Sequence, residues 1–413
     1  MKAVVIGAGI VGTSCAWFLA RDGHEVTLLD PREPGTGTSF GNAGVLSVES
    51  CLPLARLSLL LSVPAMLFDR DAPFRLRWRY LPHLLPWLLR FVLAARPGRA
   101  RELGEALFAL VGRADAAHDL VIAECGLAGL VRPTGWLKVA RDPRRFERAT
   151  AEERAALDRF SLPYRILGRE ELLALEPALG ADLRRALWLT ADRHVASPLA
   201  YTRGILRAFE ARGGRWLQAR ATGFLGRGAE VAGVVTDRGD LEADLVVLAA
   251  GVFSRALAAA AGIRVPLEAE RGYHLMLDPE NCPLAHPVYG IEEGFLLAPI
   301  ENRIRLTTGV ELASPTAPPD YSRPRRLVPK ARRLLPGLTG GIDSEWLGLR
   351  PSLPDGLPVL GRAPRSANLY LAFGHQHLGL TLGPSSGRII ADLVAGRDPG
   401  LDLAPYAADR RFF

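Results

Sequence analysis

The chain has 413 residues, 48% of them hydrophobic and 23% charged, which suits a globular protein with more than one core. The formal net charge is +7, but only three of the 51 basic residues are lysine, and no basic run is interleaved with aromatic residues, which argues against nucleic-acid binding. Cys15, Cys51, Cys125 and Cys282 form no CxxC pair, which argues against a disulfide framework or a metal site.

In chain order, Ala3 to Ile6 is an apolar run that predicts a buried strand, Gly7 to Gly12 a turn, Thr13 to Arg21 a helix and Glu25 to Asp30 a second strand. No small-residue cleavage site follows the N-terminal apolar run, so no signal peptide is read, and no apolar stretch has the length of a membrane span. Residues 31–44 are rich in Gly, Pro, Thr and Ser and predict a loop. Residues 52–95 are strongly apolar, are broken by five prolines, and carry Arg70, Arg75, Arg77, Arg79 and Arg90 with Trp78, Tyr80 and Trp87. Arg101 to Gly126 reads as one long helix. Gly135 to Ala140 and Ala186 to Thr190 read as strands, with helices at Pro143 to Phe160 and Glu170 to Leu175 between them. Ser197 is the natural N-cap of a helix over 198–212, stopped by Gly213 and Gly214. Strands are expected at 216–222, 231–236 and 245–250, and a helix near Ser254. From Gly272 to Val310 apolar and polar residues alternate as in a half-exposed antiparallel sheet. The apolar run Leu369 to Phe373, the loop GHQHLGLTLGP and a helix from Ser385 to Ala395 close the pattern.

Parallel α/β pieces thus alternate with antiparallel ones. This predicts an α/β fold: a Rossmann-like dinucleotide domain assembled from discontinuous segments, with an inserted α+β domain built on a mainly antiparallel sheet. The division expected is residues 1–50, 196–266 and 342–413 for the nucleotide domain, and 51–195 with 267–341 for the substrate domain.

The opening stretch VVIGAGIVGTSCAWFLARDGHEVTLLD carries the chemistry. Gly7, Gly9 and Gly12 fit G-x-G-x-x-G: a tight turn, a close backbone approach to a pyrophosphate, and close helix–sheet packing. The N-terminus of the helix that follows would then point its partial positive charge at the phosphates, with Ile10 and Val11 of the turn beside the cofactor. Asp30 lies 18 residues beyond Gly12, at the end of the second strand, where a carboxylate can accept ribose hydroxyls. Two features choose FAD over NAD. The loop GTGTSFGNAG directly after Asp30 and Pro31 can lie along a pyrophosphate and a flavin, through Ser39, Gly41, Asn42, Ala43 and Gly44. The segment LVVLAAG, ending at Ala250 and Gly251, resembles the second FAD-contacting strand of two-domain flavoproteins.

With those motifs in place, the sequence resembles the D-amino acid oxidase/glycine oxidase superfamily of FAD-dependent oxidoreductases. Within it, the chain is most similar to the D-amino acid dehydrogenase (small subunit) family. The pieces that carry the resemblance are the N-terminal motif, TSFGNAGVLS, DRHVASP, RGYHL, GLRPSLPDGLPVLGR and GHQHLGLTLGPSSG. The resemblance implies that Arg350, in GLRP, binds the substrate carboxylate, which suits a guanidinium fork. It implies that GHQHLG passes beside the isoalloxazine ring, with Gly374, His375, Gly379, Leu380 and Thr381 near the cofactor. His377 stands where glycine oxidase has arginine, and Phe295 where it has tyrosine, so these positions tune the pocket. His377 and Tyr273 are the further candidates for substrate contact, and Tyr273 and His274 fall on a strand expected to border the site. No Cys or His is placed to attach the flavin, so FAD is expected to be non-covalent, and no metal is expected.

The activity implied is oxidative deamination of D-amino acids to 2-oxo acids and ammonia, with electrons passed to a quinone-type acceptor. Desolvation near the flavin would lower the amine's pKa without a dedicated base. A D-proline or hydroxy-D-proline dehydrogenase, a glycine/sarcosine-type oxidase, and a subunit that holds FAD within an electron-transfer complex are the alternatives. Residues 52–95 resemble the apolar insert of such dehydrogenases and suit a peripheral membrane contact, which would place the protein in the cytoplasm at the inner face of the cell membrane. The same composition suits an ordinary helical cover on the substrate domain.

Overall fold

A computed structural model describes residues 1–69, 71–226 and 230–413; Arg70, grouped above with the arginines of the apolar segment, lies outside the described residues. The first sheet has six strands in the order 215–218, 25–30, 2–6, 245–248, 369–373, 359–362. The first five run parallel and the last is an antiparallel edge. Leu245–Leu248 sits beside the N-terminal strand with all four residues buried, which is why it reads as an unbroken apolar run rather than an alternating one. The α/β fold with parallel and antiparallel sheets is therefore as the sequence implies.

The second sheet contains, in order, 74–76, 310–312, 268–277, 303–307, 295–300, 288–290, 136–140, 185–189 and 164–168, with 342–352 also paired to 268–277. Most of its pairs are antiparallel; 288–290 with 136–140 and 310–312 with 74–76 are parallel. A small sheet of 45–46, 193–195 and 131–132 ties the end of the glycine-rich loop to the DRHVASP segment.

Several elements differ from the sequence reading. Strand Ile342–Ser352 was expected in the nucleotide domain, but it pairs with Glu268–Leu277 in the second sheet. The helical stretch 101–126 is two helices, Pro97–Val111 and Ala114–Cys125, because the chain turns at Gly112 and Arg113. Their Leu103, Leu107, Leu110 and Val121 pack in the core of the first sheet rather than with the substrate domain. The last helix spans Gly379–Val394, six residues earlier than expected, so Gly379, Leu380 and Thr381 form its first turn instead of a loop.

That last helix lies directly against the first, Ile10–Arg21. A Cβ added at Gly387 would stand 2.7 Å from the Ser14 backbone carbon, and one at Gly383 would stand 2.9 Å from Ile10 Cγ1. Two glycines one turn apart therefore let the helices touch backbone to backbone. Gly387→Val should force them apart at a cost of about 1–3 kcal/mol, as overpacking does. A thermal melt of the apoprotein showing no loss of stability would contradict this packing account.

Candidate functional site

The turn after the first strand is built as the motif requires. Gly7 has φ +108, and a Cβ there would lie 2.5 Å from Ala249 O, so only glycine fits beside the end of the strand at 245–248. Asp30 Oδ2 accepts from Ala8 N at 2.9 Å, which draws the carboxylate across the turn. Ser39 Oγ accepts from Ile10 N at 3.0 Å and brings the glycine-rich loop to the N-terminus of the first helix. No acidic residue occupies that helix's first turn, so no side chain there cancels its N-terminal partial positive charge, which suits an anion.

A cavity of about 600 Å³ runs from this turn past the Ser39–Ala43 loop to the Gly374–Leu380 segment. All the cofactor residues named from the sequence line it except Gly12, Pro31, Gly44 and Thr381. Those four act from behind. Gly12 packs under the turn, with a Cβ position 1.8 Å from Gly7 O. The Pro31 carbonyl accepts from Gln218 Nε2. Gly44 has φ +81 and is pressed against Val195 O. Thr381 Oγ accepts from Ser47 N at 3.0 Å, and its carbonyl accepts from His118 Nε2 at 3.0 Å. Because a carbonyl can only accept, His118 is fixed in its Nε2–H form, and its Nδ1 accepts from the Tyr201 hydroxyl at 2.8 Å. Burial holds this imidazole down at about pKa 4, so it stays neutral.

The residues fit FAD on grounds of their own. Two helix N-termini, at Ile10 and Gly379, open on one cavity. With FAD bound, one would suit the pyrophosphate and the other would offer backbone N–H groups to the negative charge of a reduced flavin. Cys51, which sequence reasoning did not place at the site, also lines the cavity. Burial pushes its thiol up to about pKa 11, which keeps it protonated and weakly nucleophilic.

The substrate end is built from the second sheet. Arg350 pairs with Glu270 across strands. Its guanidinium lies over Gly272, where a Cβ would come within 2.7 Å of Nη2, so the glycine of RGYHL makes room for it. Among the described residues the Arg350 side chain makes only long hydrogen bonds, to Gly309 O at 3.3 Å and Thr308 O at 3.4 Å, and leaves most of its donors for a ligand. Burial lowers its pKa and neighbouring Glu270 opposes that shift. His377 exposes its ring into the same cavity. Burial first, then the charges of Arg350 and Arg56, lowers it to about pKa 4, so it is a neutral hydrogen-bonding group beside a cation.

Two expectations, for Tyr273 and Phe295, are corrected. Tyr273 borders the cavity, but strand alternation puts its side chain on the face opposite Arg350. Its hydroxyl donates to Glu311 Oε2 at 2.7 Å and accepts from Arg271 Nη2 at 3.1 Å, which is a structural role. His375, expected near the cofactor through its backbone, lines the cavity, and its Nε2 bonds Ser386 Oγ at 2.9 Å, so the side chain anchors the last helix. Phe295 is 1% exposed in the core of the second sheet, and Leu296 is the residue of that strand that faces the cavity.

Sequence reasoning missed Arg305. It donates from Nη1 to Phe40 O at 2.7 Å and Asn42 O at 2.5 Å, clamping the cofactor loop from the neighbouring sheet. An isolated arginine among 51 basic residues gives no such signal.

Comparison with known proteins agrees with this geometry. The family model described as DAO, FAD dependent oxidoreductase, matches residues 2–393. The chain belongs to that family. It is therefore an FAD-dependent oxidoreductase. It is 37% identical over 424 residues to a D-amino acid dehydrogenase from Paramagnetospirillum magneticum (strain ATCC 700264 / AMB-1), covering 99% of both chains. It is 33% identical over 414 residues to a D-amino-acid oxidase from Bradyrhizobium diazoefficiens, covering 98% of both. Among solved structures, glycine oxidase from Geobacillus kaustophilus superposes with a TM-score of 0.76 at 21% identity, covering 99% of each chain, which shows the shared fold.

Replacing the buried clamp, Arg305→Met, removes two charge-assisted hydrogen bonds and should weaken FAD binding by ~10–100-fold, about 1.5–3 kcal/mol. Titration of the apoprotein with FAD measures this, and an unchanged dissociation constant would rule the clamp out.

Proposed function

We propose that this oxidoreductase acts on D-amino acids, giving the 2-oxo acid and ammonia after hydrolysis of an imine. The observation that carries the reading is Arg350: a guanidinium with little internal hydrogen bonding, on the same cavity as the two helix N-termini. Bidentate recognition of a carboxylate satisfies such a group. The names borne by the two relatives support a D-amino acid over other carboxylates.

FAD, when bound, takes up the two electrons and the hydrogen that leave the α-carbon. The protein's part is to hold the substrate for that transfer. Arg350 anchors the carboxylate. Neutral His377 adds a hydrogen bond without a second positive charge that would repel the substrate amine. Anaerobic mixing with D-alanine, D-proline, hydroxy-D-proline, glycine, sarcosine and the L-amino acids tests the reading by bleaching of the flavin. Bleaching by L- and not D-amino acids would overturn it. Glycine or D-proline as the best donor would select one of the alternative substrates, and an unbleached flavin throughout would favour a cofactor-holding subunit. Arg350→Leu should lower kcat/KM by at least ~30-fold, since removing one partner of a buried charge pair costs about 2–5 kcal/mol; unchanged kinetics would remove Arg350 from the site.

We further propose that the electrons pass to a quinone at a membrane surface. The support is the outer face of the apolar segment. Helix Leu57–Phe68 carries no charged residue, and Leu57, Leu61, Pro64 and Ala65 face outward. Helix Leu81–Ala94 buries Leu84 and Trp87 but exposes Pro82, Leu85, Pro86, Leu89 and Val92 as a second stripe. Leu61 is 73% and Leu89 58% exposed, where an ordinary surface helix would be polar. Exposed Arg79 and Arg96 flank the stripe and suit anionic headgroups. Among the described residues no helix is long and apolar enough to cross a membrane. Sedimentation with vesicles containing anionic lipid should fall when Leu61 and Leu89 are both changed to Glu, with flavin bleaching unchanged. Equal sedimentation of the parent and the double variant would refute the lipid-facing assignment.

A further inference from the structure

The cavity has a second polar wall that the reading above does not use. Ser47 to Ser50 follow the cofactor loop and are held from two sides. Ser47 N donates to Thr381 Oγ at 3.0 Å, in the first turn of the last helix, and Ser47 Oγ donates to Asp192 Oδ2 at 3.0 Å. Ser50 Oγ in turn donates to Ser47 Oγ at 2.7 Å. Both serines line the cavity, and Ser50 is only half-buried. Asp192 is fully buried, so the hydroxyls form a file from the cavity to a carboxylate that solvent does not reach.

Asp192 is built to receive charge. Trp136 Nε1 donates to Oδ2 at 2.7 Å and Glu49 N donates to Oδ1 at 3.1 Å. Its partners are thus neutral donors. The Glu49 carboxyl stands beside it, with Oε1 accepting from Ala191 N at 3.0 Å and Oε2 buried without a partner. Beyond Glu49 stand Glu153 and Lys138, paired with each other at 2.5 Å. Burial pushes Asp192 up to about pKa 7. Burial and the charge of Asp192 push Glu49 up to about 8.

We propose that Ser50 and Ser47 relay a proton from the substrate ammonium to Asp192. This rests on the amino-acid reading above. An α-ammonium must lose a proton before its lone pair can form the C=N bond. In the relay, the N–H bond breaks toward Ser50 Oγ, the Ser50 proton passes to Ser47 Oγ, and the Ser47 proton passes to Asp192. The net change is one N–H bond lost and one O–H bond formed on the carboxyl. No electrons move in this step. The proton returns to water by the reverse path once product has left.

The relay works only while Asp192 is unprotonated. The limiting rate of anaerobic flavin reduction should therefore rise as pH passes upward through about 7. Ser50→Ala should abolish that limb and slow reduction by ~100-fold at neutral pH, with recovery only where the free ammonium loses its own proton. Ser50→Thr, which keeps the hydroxyl, should keep both rate and profile. Asp192→Asn should behave as Ser50→Ala; if it does not fold, Ser47→Ala and Ser50→Ala carry the test, with FAD content checked by absorbance. A second readout needs no turnover. Binding of 2-aminoisobutyrate, which has no hydrogen on its α-carbon, should raise a protonated-carboxyl band in the infrared difference spectrum of the holoenzyme, and Ser50→Ala should lack it. A parent flavin reduced by no amine overturns the amino-acid reading and the relay together. A parent that is reduced, with Ser50→Ala matching it in rate and pH profile, overturns the relay alone.

Discussion

The contact on which the site depends is the backbone-to-backbone approach of the first and last helices. Gly383 and Gly387 admit Ile10 and Ser14 at distances that any side chain would prevent. The two helices are thereby held side by side with both N-termini on one cavity. Two helix N-termini, one suited to a phosphate and one to a flavin, come to one cavity through a single packing decision. The substrate end is fitted to this frame from the second sheet. Arg305 clamps the cofactor loop from there, and Arg350 reaches the cavity over a glycine.

The nucleotide motif was legible because its chemistry is local. A strand, a turn, a helix and an acid within thirty residues leave few other structures open, and Gly7 and Asp30 sit as the spacing demands. The buried strand at 245–248 was legible for the same reason, since four apolar residues in a row fit a sheet covered on both faces. The last helix was misread at its start because LGLTLGP contains two glycines and a proline, which in isolation favour a turn. Packing overrides that preference: Gly383, with Gly387 one turn on, is there for the neighbouring helix. Tyr273 was misassigned because which face of its strand meets the cavity depends on pairing with residues about seventy positions away, and no local pattern encodes that register. Arg305 and Asp192 lay beyond reach for a related reason, since each acts on a loop more than a hundred residues distant in sequence.

Where the two parts of the molecule meet, polar groups are used economically. Asp192 and Thr381 each hold the segment at Ser47, one from the small sheet and one from the last helix. His118 stays neutral and serves only to tie Thr381 to Tyr201. A charged imidazole there would need a counter-ion within a dry core, so burial itself keeps the tie neutral. The same physics acts on Arg350 at the cavity, in surroundings that lower its guanidinium's preference for charge and sharpen its need for an anion.

The strand order of the first sheet has a consequence for how the protein is made. The strand at 369–373 lies beside that at 245–248, and the helix that follows it covers the first helix. During synthesis the opening strand, turn and helix therefore leave the ribosome hundreds of residues before the surface that buries them. The face that meets the last helix waits unpaired through most of translation, and long-range closure of this kind is slow. Cofactor capture and completion of the core thus belong to the end of chain synthesis, and supply of FAD at that moment bears on how many chains reach the native state.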